Sequence, residues 1–168
     1  MIDAPLQFPG KAMEYDYVYF EEKKNRAKQL YFDQKTIYSP YFKEHIILNS
    51  DGFHHLQFSY RKERNTREQL LKFRLMPMAF EIIRKAGTLQ EYRKILSPVG
   101  NRSVKNDSVA MKLVEYWGFV AIISNRGLKI KVILRRVGDG NIIFWSVMPS
   151  SRIKNGKQRL FSEGIEDE

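Results

Sequence analysis

The sequence predicts an α+β fold in which N-terminal helices pack on one face of an antiparallel β-sheet. Two observations support this prediction. Apolar residues recur at helical spacing through much of the first half of the chain, and three β-rich runs follow one another in the second half. The connections between these runs are so short that neighbouring strands must be antiparallel. With 168 residues, 43% of them hydrophobic, the chain is long enough for a single domain over residues 1–168.

Two long stretches of the first half predict helices. The first covers residues 11 to about 32, after an irregular arm at residues 1–10 that contains two prolines. The second begins with a capping box, in which Asn65 precedes an apolar series and Glu68 follows three residues later. This helix should end at Gly87, because glycine commonly terminates helices.

The second helix and the segment that follows it also contain weaker signals. Pro77 removes one backbone donor, so a kink or a break is expected inside the second helix. Thr88 and Glu91 repeat the capping signature, which predicts a short helix that stops before Ser97. Residues 98–108 mix turn-forming residues with cations and are expected to form an exposed, mobile loop.

Strand signals occur in two regions. HIILN and HHLQFSY are expected to be two short strands around the turn Ser50-Asp51-Gly52, and to add a strand to the sheet. The later runs should form a three-stranded meander: KLVEYWGFVAIIS, LKIKVILRRV and NIIFWSVMP. The acidic tail, residues 158–168, is expected to be frayed.

The charge of the chain favours an anionic partner. The net charge is +10, and residues 1–162 alone carry 29 basic and 15 acidic residues, or +14. Such a surface suits nucleic acid or an anionic membrane. The absence of cysteine excludes disulfides, thiolate metal sites and a thiol nucleophile. No segment resembles a signal peptide or a membrane span, so a cytoplasmic protein without membrane contact is expected.

Strand alternation separates two neighbouring arginines of the run LKIKVILRRV. Lys129, Lys131 and Arg135 share one face, which is either a solvated face that discourages edge pairing or a row that binds phosphates. Arg136 falls on the apolar face of the same strand. A guanidinium at the end of an apolar row needs a carboxylate partner or an anion.

All three histidines lie within one short segment, at His45, His54 and His55. A neutral imidazole can accept or deliver a proton near pH 7, as cleavage of RNA through its own 2′-hydroxyl requires. Adjacent strand residues point to opposite faces, so at most one of His54 and His55 should face a given site. Each histidine could instead be exposed or cap the core. The pattern does not fit a zinc site, and no metal is expected.

Five further residues are candidates for a site. Trp145 could stack a base, although a tryptophan is more often part of the core. Ser146 lies beside it but lacks the spacing of a serine-hydrolase triad. Glu115 could be a general base or the structural partner of Arg136. Arg102 and Lys154 are candidate nucleic-acid contacts because they are cations in segments expected to be exposed.

The segments HIILNSDGFHHLQFS and LRRVGDGNIIFWSVMP, with the arginine-rich helix between them, resemble the phage and mobile-element branch of the barnase, EndoU, colicin and RelE-like nuclease superfamily. The resemblance covers residues 41–157, the nuclease-like core. It implies a metal-independent ribonuclease in which helices precede a four-stranded antiparallel sheet. By this resemblance the histidines of HH, an arginine of LRR and the serine of FWS would surround the scissile phosphate. The sequence departs from the family because no histidine follows His55.

These observations predict a metal-independent endoribonuclease, toxin-like in character, that cleaves RNA by 2′-hydroxyl attack without any cofactor. Its expected partners are RNA and an antitoxin or immunity protein. The alternative is a non-catalytic protein of a phage or mobile element that binds nucleic acid or a protein partner through the same basic sheet.

Overall fold

The structure, a computed structural model, describes the backbone of residues 9–60, 62–123, 127–154 and 157–160, and the side chains of residues 16–60, 62–123 and 127–150. The helices in this part of the chain are α1 (Pro9–Gln34), α2 (Ser50–Gln57) and α3 (Thr66–Lys85). The strands are β1 (Thr36–Ser39), β2 (Glu44–Ile47), β3 (Phe58–Ser59), β4 (Lys62–Glu63), β5 (Glu91–Val99), β6 (Ala110–Ile123), β7 (Leu128–Val137), β8 (Ile143–Pro149), β9 (Ser151–Lys154) and β10 (Lys157–Leu160).

Six strands form the main sheet, in the order β1-β2-β8-β7-β6-β5. Strands β5 to β8 are an antiparallel meander, in which each strand pairs with the next along the chain. The β1–β2 hairpin joins this meander through a parallel bridge between Ile47 and Ile143. The predicted α+β class is therefore confirmed, as is the strand contributed by the segment HIILN.

The main core lies between the helices and one face of this sheet. Helix α3 packs on the sheet and α1 packs on α3. Tyr31 of α1 is fully buried, and its ring packs against the rings of Phe53, Phe80 and Phe144. The predicted apolar row of β7 belongs to the same core, with Ile130, Val132 and Leu134 fully buried. Strand periodicity thus identified the face of β7 that packs toward the helices, but Lys131 and Ile133 of the opposite face are buried as well.

Local signals also predicted the long helices. The Asn65 side chain caps α3 by accepting a hydrogen bond from the Glu68 N–H at 2.9 Å. The helix continues through Pro77 without a break and ends at Lys85, two residues before Gly87. Helix α1 begins at Pro9, so the end of the expected irregular arm is helical. The rest of that arm lies outside the described residues.

The prediction of a strand at HHLQFSY was wrong, since Ser50–Gln57 forms α2 and only Phe58–Ser59 of that segment is a strand. The Asn49 side chain accepts a hydrogen bond from the Gly52 N–H at 3.0 Å, so Ser50-Asp51-Gly52 begins a helix instead of a hairpin. Phe53 and Leu56 then share one helix face and are buried in the core. A helix can bury both of these residues, whereas in a strand they would point to opposite faces. Their burial therefore favours the helix.

The short helix expected after Gly87 was also wrong, because Glu91–Val99 forms β5. This strand pairs with β6 at nine positions, from Glu91 opposite Gly118 to Val99 opposite Ala110. A capping signature satisfies only the first turn of a helix, whereas this ladder satisfies backbone groups along the whole strand. The predicted loop over residues 98–108 is shorter than expected, because Pro98 and Val99 belong to β5, and its remaining residues, 100–108, are exposed as predicted.

The end of the described chain differs from the expected frayed tail. Strands β9 and β10 pair antiparallel, with Lys154 opposite Lys157 and Ser151 opposite Leu160. Residues 158–160 therefore belong to a strand, and residues 161–168 lie outside the described part.

We predict that Gly52→Ala destabilises the fold. A β-carbon on Gly52 would overlap the Phe144 carbonyl oxygen and lie 2.5 Å from the Tyr31 hydroxyl oxygen. Relief of this overlap requires α2 to move away from β8, at a cost of about 1–3 kcal/mol. The measurement is the free energy of unfolding in urea.

Gly87→Ala is the matched control, because a β-carbon there would meet no atom within 4 Å. We expect it to change the free energy of unfolding by no more than about 0.5 kcal/mol. Equal effects of the two substitutions would show that α2 does not depend on close contact with β8.

Candidate functional site

A cluster of cationic and aromatic side chains forms where α2 and α3 pack against β7 and β8. Helix α2 packs along β8, and α3 crosses both strands. Because β7 and β8 are antiparallel neighbours, Arg135 at the end of β7 lies opposite Ile143 at the start of β8. We call the following set of residues the cationic cluster: His55, Arg64, Lys72, Arg135, Trp145 and Ser146.

Trp145 connects the helical and strand sides of the cluster. Its indole stacks on the His55 imidazole, with ring centroids 4.1 Å apart and an angle of 17° between the planes. The guanidinium carbon of Arg135 lies 4.2 Å from the indole centroid, within the range of a cation–π contact. The tryptophan therefore holds a histidine and an arginine that are 80 positions apart in the chain.

A register shift explains why Trp145 reaches this position. Along β8, Ser146 lies opposite Ile133 but Phe144 lies opposite Leu134, so Trp145 is the extra residue of a bulge. Such bulges turn a side chain away from the regular alternation of a strand. Phe144 and Val147 consequently both belong to the main core, which simple alternation along β8 did not predict.

Lys72 of α3 is a member of the cluster that the sequence analysis missed. Its side chain is only 5% exposed, and Nζ donates hydrogen bonds to Ser146 Oγ and to the Val147 carbonyl oxygen, both at 3.0 Å. The available signal was its position: Lys72 is three residues from the buried Gln69 and four from the buried Met76. A lysine within the buried stripe of a helix is unusual unless its charge has partners or a function.

Arg64 approaches the cluster from the segment before α3. Its Nε donates to the His55 carbonyl oxygen at 3.3 Å, which ties this segment to α2. Gln69 holds the same segment from the other side, because its Nε2 donates to the Arg64 carbonyl oxygen at 2.7 Å. These two hydrogen bonds, one from the Arg64 side chain and one to its carbonyl oxygen, fix the position of Arg64.

His55 is the buried centre of the cluster. Burial is the largest cause that lowers its pKa to about 3, and the charges of Arg64, Lys72 and Arg135, with that of His54, contribute the rest of this shift. The imidazole is therefore neutral near pH 7. Its Nε2 and the Nε of Arg135 are buried and have no hydrogen-bond partner among the described side chains and backbone.

This arrangement favours the binding of an anion. A phosphate group would offset the repulsion among the cations and would offer acceptor oxygens to Arg135. The same charge compensation would raise the pKa of His55 toward its ordinary value, since the anion stabilises the imidazolium. A bound phosphate and a histidine able to exchange a proton would then lie in one place.

The other two predicted histidines lie outside the cluster. His54 is exposed and stacks on Phe58 with ring centroids 4.3 Å apart. His45 is exposed on β2, where its ring contacts Tyr38 at 5.4 Å. His54 and His55 do diverge as predicted, but because consecutive helical residues are about 100° apart and not because they alternate in a strand.

Arg136 has a carboxylate partner, which was the structural alternative for this residue. Its Nε and Nη2 donate to Glu115 Oε2 at 2.9 Å and 2.6 Å, and the Tyr92 hydroxyl donates to Oε1 at 2.7 Å. Burial alone would raise the pKa of Glu115, but the hydrogen bonds from Tyr92 and Arg136 lower it below its ordinary value. Glu115 and Arg136 therefore form an ion pair, and Arg135 is the arginine of the cluster.

The predicted row of cations on β7 does not act as one surface. Lys131 is 5% exposed and its Nζ lies 2.7 Å from Glu91 Oε1, so the solvated-face interpretation fails for this residue. Lys129 is partly buried near the other end of the strand. Of the three, Arg135 alone joins the cationic cluster.

The remaining candidates lie elsewhere. Arg102 is exposed in the loop between β5 and β6 and pairs with Asp107 at 3.1 Å. Tyr116, which contacts Arg135, is six residues along β6 from the start of that strand, or roughly 20 Å from the loop. Lys154 belongs to β9, and its side chain lies outside the described residues.

Comparisons with known proteins place no constraint on the site: no family model, curated protein or solved structure matches this chain. Within the described ranges, no group of three or more histidine, aspartate or glutamate side chains is arranged to hold a metal ion. None of the helices described is long and apolar enough to cross a membrane.

We predict that acid destabilises the protein through His55. Below about pH 6.5 the unfolded chain protonates this histidine, whereas the folded chain does so only near pH 3. The unfolded state therefore binds more protons in this window, and the free energy of unfolding falls by up to about 1.4 kcal/mol for each pH unit of acidification. Urea unfolding at about pH 7 and about pH 5 measures the difference.

His55→Gln should remove most of this acid sensitivity, because glutamine does not titrate. His45→Gln is the control and should retain it, since His45 is exposed. The same pH dependence in the wild-type protein and the His55 variant would contradict a neutral, buried His55.

Proposed function

We propose that the chain is a metal-independent endoribonuclease that cleaves RNA by attack of a ribose 2′-hydroxyl on the adjacent phosphodiester. The observation that carries the proposal is the convergence of His55, Lys72 and Arg135 from three separate elements, with the His55 Nε2 and Arg135 Nε atoms still lacking partners. These are the side-chain types that the reaction needs: a proton carrier and cations for the phosphate.

Each group has a specific role in this proposal. Arg135 binds a non-bridging phosphate oxygen, and Lys72 stabilises the negative charge that develops on the phosphorus substituents. His55 Nε2 accepts the proton of the 2′-hydroxyl as the 2′-oxygen forms its bond to phosphorus. The bond to the 5′-oxygen then breaks, and this oxygen takes a proton from water. The hydroxide that remains takes the proton held by His55, which returns the imidazole to its neutral form. The products are a 2′,3′-cyclic phosphate and a free 5′-hydroxyl.

The pKa of His55 links binding to catalysis. An imidazole with a pKa of about 3 is a weak base in the free protein. The bound phosphodiester would offset the charges of Arg64, Lys72 and Arg135 and so raise this pKa. The histidine would therefore become an effective base only with RNA in place.

The superfamily resemblance remains part of the proposal. The order of helices before an antiparallel sheet supports it, and so does the position of His55, Arg135 and Ser146 in one cluster. Ser146 is fully buried and accepts a hydrogen bond from Lys72, so its role would be to position the lysine. An antitoxin or immunity protein as partner, and action on RNA in the cytoplasm, belong to the same proposal.

A second candidate function is non-catalytic binding of RNA phosphates by the same cluster. The low pKa of His55 favours it, because a neutral buried imidazole can remain a passive part of the stack on Trp145. Both functions predict binding of RNA. Only the first predicts new 3′ ends.

We expect the purified chain to cleave single-stranded RNA in the presence of EDTA and to leave 2′,3′-cyclic phosphates, as shown by mass analysis of the products. His55→Gln should lower the rate by about 100-fold or more, which is typical of the loss of a general base. His45→Gln should leave the rate unchanged.

Binding without cleavage would leave the second candidate as the function. Full cleavage by folded His55→Gln would remove the histidine from the mechanism. Circular dichroism and a thermal melt of each variant separate these results from unfolding.

The two adjacent arginines provide a further test. Arg135→Lys should lower the cleavage rate by about 10-fold or more, because an ammonium cannot reproduce two parallel hydrogen bonds to a phosphate. Arg136→Lys should instead lower stability by about 1–2 kcal/mol, because it weakens the pair with Glu115. Its cleavage rate per folded molecule should be preserved. The reverse pattern would place the phosphate at Arg136.

A further inference from the structure

The β5–β6 hairpin extends beyond the rest of the sheet. Strand β6 begins at Ala110, but its ladder with β7 begins only at Val114. Within the sheet, residues 110–113 therefore pair only with residues 96–99 of β5, although the Leu113 carbonyl oxygen also accepts a hydrogen bond from the Gly138 N–H at 2.8 Å. We call residues 96–113 the ribbon.

Large apolar side chains are exposed on one face of the ribbon. The register places Leu96 opposite Leu113 and Pro98 opposite Met111, so all four share that face. Leu96 is 61% exposed, Met111 52% and Leu113 49%, and Pro98 is also exposed. We call these four residues the ribbon patch. A contiguous apolar patch of this kind on a surface marks a site of association.

The ribbon patch lies beside an open edge of the sheet. Strand β5 is the last strand in the order, and no described strand pairs with its outer side. Pro98 lacks an N–H, so the outer edge can extend a ladder only up to Ser97. Tyr92, at the other end of this edge, is 49% exposed. An added strand could therefore pair with β5 and cover Tyr92 and Leu96 together.

The charges around the patch select the type of occupant. From Glu91 to Glu115 the sequence contains five basic and three acidic residues, and each acid has a cationic partner: Arg102 for Asp107, Lys131 for Glu91 and Arg136 for Glu115. This surface complements acidic side chains. Two copies of β5 would bring cations of the same sign together, which disfavours self-association. Leucine, methionine and proline also offer nothing to a phosphate, which disfavours RNA.

We propose that the outer edge of β5 and the ribbon patch bind an extended, acidic segment of another protein, which adds to the sheet as a strand. Backbone hydrogen bonds to β5 provide the affinity of this recognition mode, and side-chain contacts provide its selectivity. Apolar side chains of the segment cover Leu96, and its carboxylates face Lys94 and its neighbours. This proposal does not depend on RNA cleavage.

The test uses the full chain and a blocked peptide of about eight residues, typical of a long strand, in which glutamate and valine alternate. We expect it to bind at least about 10-fold more tightly than a lysine–valine peptide of the same length. Those backbone amides of residues 91–97 that point away from β6 should gain protection from hydrogen exchange in the complex, because the alternate amides already pair with β6. Leu96→Glu with Leu113→Glu should weaken binding by about 10-fold or more.

Leu30→Glu is the matched control, because Leu30 is 42% exposed on α1, away from the ribbon, and this substitution should leave binding unchanged. Equal binding of the two peptides, or protection outside β5, would overturn the proposal. A wild-type dimer that Leu96→Glu converts to a monomer would identify a second copy as the occupant and would also overturn it. The proposal would also be overturned if the chain bound neither peptide and the substitutions Lys94→Gln and Lys112→Gln weakened its binding to RNA.

Discussion

The close approach of α2 to β8 at Gly52 is the contact on which the site depends. The absence of a side chain lets the first turn of the helix lie against the Phe144 carbonyl and the Tyr31 hydroxyl. Tyr31 donates that hydroxyl to the Asn49 carbonyl at 2.9 Å, so α1 fixes the start of the same helix. His55 follows three residues after Gly52 and meets Trp145 of β8. A side chain at this position would push α2, and with it His55, away from β8.

Most of the fold could be predicted from local signals, but the site depends on contacts between distant residues. The Asn65 cap and the apolar row of β7 are readable in the sequence because each acts within one element. The sequence could not show whether Arg135 or Arg136 joins the cluster. Alternation along a strand predicts the face on which a side chain lies, but not which other residues pack against that face. Arg136 was correctly placed beside the core, where Glu115 satisfies it. The bulge at Trp145 and the position of Lys72 arise from tertiary packing.

The cluster concentrates positive charge where the dielectric is low. Arg135 lies against the face of the Trp145 indole, and its buried Nε has no hydrogen-bond partner among the described residues. An aromatic face compensates a cation less than a carboxylate does, in contrast to Glu91 beside Lys131 and Glu115 beside Arg136. The field of Arg135 is therefore less fully neutralised within the fold than that of these two residues.

The β1–β2 hairpin joins the meander through the Ile47–Ile143 bridge and a backbone hydrogen bond from Ile47 to the Ile142 carbonyl oxygen. Strands β6 and β7, by contrast, pair at ten positions. Native proteins open in cooperative units whose boundaries follow the weakest connections. The sheet therefore has a seam between β2 and β8, and α2 follows directly after β2 in the chain. Opening along this seam would release the β1–β2 hairpin, while α2 stayed on β8 through Gly52 and the stack of His55 on Trp145. The cationic cluster therefore lies on the side of the seam that remains folded, so its geometry would survive the loss of the hairpin.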